Sequence, residues 1–124
     1  MRQLLDTHTL LWFVLGDRRR ISPELRARIE DGALISIVCI WEIAIKSALG
    51  KVEAPDDLPE RVRQLGFEIL PVSVEHAWRV RQLPHHHRDP FDRMLVAQAQ
   101  VERLVIVTAD PDFDPYDVTV SWPS

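Results

Sequence analysis

Strand-like apolar runs alternate with helix-like segments along this chain, and that alternation leaves few architectures open. Gln3 to Asp6 reads as a short buried strand ending in an acid, and Thr7 to Leu15 as a short helix. Ser22-Pro23-Glu24 is a helix start, with a serine suited to the N-cap and a proline in the first turn. That helix is expected to run to about Asp31 and stop at Gly32. Ala33 to Ile37 is a second strand candidate, followed by a helix from Val38 to Leu49 that Gly50 closes. Asp56 or Asp57 caps a helix from about Leu58 to Leu65, with Gly66 as its stop. Phe67 to Val72 is a third strand and Val74 to Leu83 a further helix. Asp89-Pro90-Phe91-Asp92 opens the clearest helix, running to about Arg103. Leu104 to Thr108 is a buried strand rich in β-branched residues, and Val118 to Trp122 a short final one. Strands alternating with helices imply a parallel sheet covered on both faces, with right-handed connections. The expected class is α/β, a three-layer α/β/α sandwich around a central, mostly parallel sheet.

The chain has 124 residues, and residues 1–124 are read as a single domain. A domain of that size buries roughly two-thirds of the surface its unfolded chain exposes, enough for one core. Its apolar stretches are broken by charge well short of the ~20 residues that a membrane span needs, so no membrane partner is expected. Met1-Arg2-Gln3-Leu4-Leu5-Asp6 does not read as a signal peptide, because an acid sits where the apolar region belongs. A lone cysteine, Cys39, lies in an apolar segment, and a buried thiol in a cytoplasmic protein is the plain reading. Net charge is −4, which at first argues against a nucleic-acid partner. Four acids clustered around metal ions would account for a deficit of that size and leave the remaining surface near balance. The basic residues are 13 arginines against two lysines, and arginine is the better side chain for forked contacts to phosphate. Charge therefore neither supports nor excludes RNA.

The informative carboxylates are those in apolar surroundings. Asp6 sits in Leu-Leu-Asp-Thr-His-Thr-Leu-Leu-Trp, and Glu42 in Ile-Val-Cys-Ile-Trp-Glu-Ile-Ala-Ile-Lys. Asp110 ends Leu-Val-Ile-Val-Thr-Ala-Asp, and Asp92 begins a helix continuing Met-Leu-Val-Ala-Gln-Ala. An ionised carboxylate beside packed apolar side chains is costly unless a cation compensates it. Asp6 and Asp110 fall at or just past the carboxyl ends of expected parallel strands, the edge where open α/β sheets bind ligands. Glu42 and Asp92 lie early in helices that can reach the same rim. Carboxylates without a cysteine partner suit Mg²⁺ or Mn²⁺ rather than zinc. Such ions hydrolyse phosphodiesters by activating water and neutralising charge on the phosphate. Each acid also has a plainer role. Asp6 suits a helix cap, Glu42 an i,i+4 pair with Lys46, Asp110 a turn, and Asp89 with Asp92 an ordinary helix start. The set of four is more specific than any member.

Four blocks in register also carry a resemblance. Leu-Leu-Asp-Thr-His-Thr-Leu-Leu-Trp, Trp-Glu-Ile-Ala-Ile-Lys, His-Arg-Asp-Pro-Phe-Asp-Arg-Met-Leu-Val-Ala-Gln-Ala and Val-Thr-Ala-Asp, with Phe113, Tyr116 and Trp122, resemble PIN-domain proteins of the VapC toxin type. The match runs along essentially the whole chain. The resemblance implies an endoribonuclease toxin of a type II toxin–antitoxin pair that cuts RNA with Mg²⁺ or Mn²⁺ and leaves 5′-phosphate and 3′-hydroxyl ends. It places the family's four acids on Asp6, Glu42, Asp92 and Asp110, as metal ligands and catalytic residues, with Asp89 as an additional acid. It makes Thr7 and Thr108 partners that orient carboxylates. It further implies a homodimer and a cognate antitoxin whose tail lies in a hydrophobic groove. Trp12, Phe13 and Trp41 are candidate groove residues, with core packing expected of Trp41 more than of Trp12.

Other groups have weaker expectations. His85-His86-His87 reads as a polar loop, and His8 as a surface or packing residue close to the first acid. Arg88, Arg93 and Lys46 are candidates to grip phosphate, and Arg18-Arg19-Arg20 a basic run for RNA backbone or antitoxin. Three rival functions are distinguishable. A haloacid-dehalogenase-type phosphatase wants a second Asp two residues after the first, where this chain has His8. A non-catalytic module of the same fold is expected to lose one or more of the acids, and all four are present. A nuclease of RNA maturation or decay shares every motif, and only the neighbouring gene separates it from a toxin.

Overall fold

The computed structural model describes residues 2–86 and 88–122. Five strands form its sheet: β1 Gln3–Leu5, β2 Leu34–Ser36, β3 Glu68–Leu70, β4 Val105–Val107 and β5 Thr119–Ser121. Their order is β3-β2-β1-β4-β5, and every neighbouring pair is parallel. Among the described residues six α-helices connect them: α1 Thr7–Val14, α2 Pro23–Glu30, α3 Ile37–Ala48, α4 Leu58–Gln64, α5 Val74–Arg79 and α6 Pro90–Glu102. The expected α/β/α sandwich is the fold.

Burial explains why these strands are parallel and central. Leu4, Leu5, Ile35 and Ile106 are fully buried, so consecutive residues of a strand face apolar surroundings on both sides of the sheet. In register, Leu4 lies beside Leu34 on one side and Ile106 on the other. From β1 the chain moves outward to β2 and β3, then crosses back to lay β4 and β5 on the other side. The reversal falls between β1 and β4. That is the place where strand order opens a crevice at the carboxyl ends of a sheet.

Helix ends follow local chemistry. Ser22 accepts from the Leu25 amide at 3.1 Å, with Pro23 in the first turn. Ser36 closes β2 and also caps α3 by accepting from the Val38 amide at 3.1 Å. The helix therefore starts one residue before Val38, with no intervening loop. Asp57 precedes α4 but makes no side-chain cap; it pairs with Arg61 at 2.9 Å instead. The segment read as one helix to Leu83 divides into α5 and a 3₁₀ turn, Val80–Gln82. Buried Arg93 draws off carbonyls there, donating to Pro84 at 2.7 Å and to Val80 and Leu83 at 3.3 Å. α5 is also tied to α6 through His76, a residue to which the sequence reading assigned no role. His76 completes a reciprocal cap with Ser73 and lies 2.8 Å from Glu102.

Arg103 ends α6 in a left-handed conformation, φ 57° and ψ 57°. For a residue with a Cβ that conformation costs roughly 1–2 kcal/mol, and glycine removes it at some cost in chain entropy. Arg103→Gly is therefore expected to raise unfolding stability by up to about 1 kcal/mol, read from the denaturant midpoint.

Candidate metal centre at the sheet edge

Asp6 is placed by the sheet itself. Its amide still donates to Val107 at 3.2 Å, holding it at the seam between β1 and β4. One carboxylate oxygen caps α1 by accepting from the Thr9 amide at 2.9 Å. The other accepts the Thr108 hydroxyl at 2.5 Å. Thr108 follows β4, and its Oγ1 in turn accepts from the Asp110 amide at 2.9 Å. Asp6 is only 4% exposed, and burial holds its carboxyl above the usual range, although the Thr108 and Thr9 hydrogen bonds oppose that shift. Asp6 therefore does cap α1, and it also lines the cavity shared by the other acids.

Glu42 lies in the second turn of α3 on the buried face, 2% exposed. Thr7 donates its hydroxyl to Oε1 at 2.6 Å, and Lys46 its ammonium to Oε2 at 2.5 Å. Asp92 is the third residue of α6. Asp89, the N-cap, accepts from the Phe91 and Asp92 amides at 2.8 and 3.1 Å. The carboxyl of Asp92 is pushed up to about 8, first by burial and then by the charges of Asp89, Glu42, Asp6 and Asp110. Asp110 caps the 3₁₀ turn Pro111–Phe113 by accepting from the Asp112 amide at 2.9 Å.

These side chains line one cavity of about 140 Å³, together with Thr7, His8, Lys46, Asp89 and Asp112. The expected acids therefore meet at one rim. Asp112 was not anticipated, since an acid in a run of acids after a strand carries no signal of its own. Among the described residues no three acidic, histidine or cysteine side chains are already gathered as a metal-ligand set. Threonine hydroxyls and Lys46 occupy part of the acceptor capacity of Asp6 and Glu42. Six carboxylates and the Thr7 hydroxyl nonetheless outnumber the single imidazole of His8 around the cavity, an oxygen-rich donor set that fits a hard divalent cation. Cys39 is no ligand: it is buried, its thiol is pushed up by burial, and its Sγ lies 3.6 Å from the Leu5 carbonyl.

Several expectations are corrected. Arg93 does not grip phosphate; it is 8% exposed, and its guanidinium is spent on backbone carbonyls and on the Tyr116 hydroxyl at 3.3 Å. Phe13 is a core residue packed edge-on against Phe67 at 5.4 Å, and so no groove residue. The two tryptophans are reversed. Trp41 is 60% exposed, whereas Trp12 is half-buried between His8 and Trp122 at 5.9 and 6.0 Å. The Glu42–Lys46 pair expected only as a plain helix contact is present, with one member buried. Arg20 pairs with Asp17 at 2.7 Å, and its guanidinium lies 5.3 Å from the Trp12 ring centroid. His86 packs edge-on against Tyr116, and His87 lies outside the described residues.

A PIN domain family model matches residues 4–118, and the chain belongs to that family, a family of nucleases. Among solved structures it is similar to a chain of VapBC2 from Rickettsia felis bound to a promoter DNA fragment. The TM-score is 0.74 at 14% identity, with 98% of each chain covered. It is also similar to a DNA-bound VapBC chain from Salmonella typhimurium, TM-score 0.72 at 19% identity over 98% of this chain and 97% of that one. A toxin–antitoxin complex from Klebsiella pneumoniae matches at TM-score 0.66 and 23% identity, again with 98% of each covered. A search of curated proteins returned no significant match. These likenesses establish the fold.

Two outcomes follow. The folded protein holds a proton on Asp92 up to about pH 8 that an ordinary carboxyl loses near 3.8. Linkage therefore makes stability in EDTA greatest at the acid end of that window and lost as pH rises towards 8. Melting temperature against pH is expected to show that fall, and Asp92→Asn to flatten it; Asp6 contributes with the same sign. Arg93→Met leaves buried carbonyls without donors and is expected to cost about 2–4 kcal/mol in denaturant unfolding.

Proposed function

We propose that this chain is a Mg²⁺- or Mn²⁺-dependent endoribonuclease, the toxin of a type II toxin–antitoxin pair, with Asp6, Glu42, Asp92 and Asp110 as the functional acids. The observation that carries the reading is the convergence of Asp6, Glu42, Asp92 and Asp110 on one cavity of about 140 Å³, where the carboxyl of Asp92 is pushed up first by burial and then by repulsion from its acidic neighbours. Asp6 and Asp110 also cap helical turns, but capping does not account for Glu42 and Asp92 being brought to the same cavity. A divalent cation removes the repulsion.

Asp6, Glu42, Asp92 and Asp110 would hold the ion, with Asp89 at the margin because its carboxylate already caps α6. When bound, such an ion activates water for attack on a phosphodiester and neutralises charge on the phosphoryl oxygens. The chain's own residues supply order. Thr108 and Thr7 hold the Asp6 and Glu42 carboxylates in one orientation while leaving acceptor positions unused. The amino ends of α1 and α6 open on the cavity, and their partial positive charge favours anions there. No histidine pair takes part.

Partners follow from similarity to toxin–antitoxin complexes and from the surface. An apolar cavity of about 650 Å³ lies beside exposed Trp41, lined by Ile37, Val72, Phe91 and Met94 among others. Apolar surface of that extent suits a protein partner, and we assign the chain a cognate antitoxin and a homodimeric state. Among the described residues no helix is long and apolar enough to cross a membrane.

The test compares wild type with Asp6→Asn on total cellular RNA, in magnesium or EDTA. Asparagine caps a helix about as well as aspartate, so the fold is kept. Defined fragments with 5′-phosphate ends are expected from wild type with magnesium alone. The variant should cut at least roughly 100-fold more slowly, beyond the loss typical of a residue that only orients a ligand. Equal cutting by Asp6→Asn removes the proposal.

A further inference from the structure

The acidic cavity already contains a cation, and it belongs to the protein. Of the described residues that line it, six carry carboxylates and Lys46 carries the ammonium. Lys46 does not sit loosely among them. Its Nζ lies 2.5 Å from Oε2 of Glu42, one turn earlier on α3. The partners differ sharply in freedom: the Glu42 side chain is 3% exposed and that of Lys46 32%. Glu42 is locked, with its other oxygen bonded to Thr7. Lys46 has a four-carbon stem and solvent to move into.

We propose that Lys46 is the resident counter-cation of the metal-free site, a positioning residue that competes with the divalent ion for Glu42 and so sets the concentration at which the site loads. The inference rests on the metal-site reading above. A buried carboxylate requires a compensating charge, and in the metal-free protein the neighbours of Glu42 across the cavity are acids, which supply none. Lys46 supplies it. Once a divalent ion approaches the same carboxylate, two cations share one small cavity and repel. A carboxylate has about four acceptor positions, so Thr7 need not leave when the ion binds. The mobile partner yields, and Lys46 is the mobile one. Its ammonium then withdraws towards solvent at the cavity mouth, while Glu42 keeps the orientation that Thr7 imposes. The exchange keeps Glu42 compensated in both states, which explains a lysine in contact with a buried acid that the metal must also reach.

The experiment measures Mn²⁺ binding to the intact chain by electron paramagnetic resonance of the free ion, with calorimetry as a second readout. Wild type, Lys46→Met, Lys46→Gln and Lys46→Arg are compared, each checked for folding by its melt in EDTA. Removing the competing charge is expected to tighten Mn²⁺ binding on the order of tenfold in Lys46→Met and Lys46→Gln. Lys46→Arg, which keeps the charge, should stay near wild type. In a Glu42→Gln background the Lys46→Met gain should largely vanish, because the carboxylate under competition is gone. Unchanged or weaker Mn²⁺ binding in both neutral variants, with wild type binding normally, overturns the competition alone. Absence of Mn²⁺ binding in wild type and in all variants overturns the metal-site reading and this inference with it. Binding gained only when Lys46 is neutralised supports both. If Lys46→Met fails to fold, Lys46→Gln, which retains a polar side chain of similar reach, decides the matter.

Discussion

The hydroxyl of Thr108 donates to the carboxylate of Asp6 across the seam between β1 and β4, and the rest of the site is arranged around that contact. It joins the carboxyl ends of two neighbouring parallel strands where strand order reverses. It also makes burial of an acid tolerable, since a carboxylate away from water needs donors or a cation. The Thr9 amide and the amino end of α1 add to the same compensation. With Asp6 anchored, the residues after β4 are drawn in, because Thr108 also accepts from the amide of Asp110.

Compensation at the other acids is uneven, and the unevenness carries the chemistry. Glu42 has a hydroxyl and an ammonium; Asp89 and Asp110 take backbone amides at the start of helical turns. Asp92 sits nearest to an unmet requirement, with its carboxyl pushed up by burial and by its neighbours. A perturbed acid in a cleft is one of the features by which functional sites are sought, and the proposed function builds on it.

Away from the rim, polar groups that look available are committed to architecture. Arg93, one residue past Asp92, is turned inward to hold the 80–84 segment, and His76 with Ser73 and Glu102 fastens α5 to α6. The exposed cations therefore lie elsewhere, among them Arg18 and Arg88. Trp41 lies outside the core beside a wide apolar cavity, on the same helix as Glu42. One helix thus presents an acid to the acidic cavity and an aromatic to an exposed apolar surface.

Much of this was legible along the chain, for a physical reason in each case. Short runs without polar alternation, Leu-Val-Ile-Val above all, determine strands covered on both faces and hence a parallel sheet. Isolated acids inside apolar segments marked Asp6, Glu42, Asp92 and Asp110, because burial makes an uncompensated carboxylate too costly to be incidental. Ser22 and Asp89 announced helix starts through their side-chain acceptors, whereas the Ser36 cap emerged only from the structure. What only the tertiary structure decided were relations between distant residues and the sidedness of ambiguous ones. That Thr7 serves Glu42 and Thr108 serves Asp6 depends on which strands become neighbours, a matter of packing that local sequence does not encode. Trp12 and Trp41 have equally apolar surroundings in sequence, yet one is half-covered by Trp122 and the other faces solvent, since helix rotation against the sheet is set by the whole core. Arg93 reads as a surface cation until the 80–84 carbonyls and the Tyr116 hydroxyl, brought close only by folding, take up both terminal nitrogens of its guanidinium.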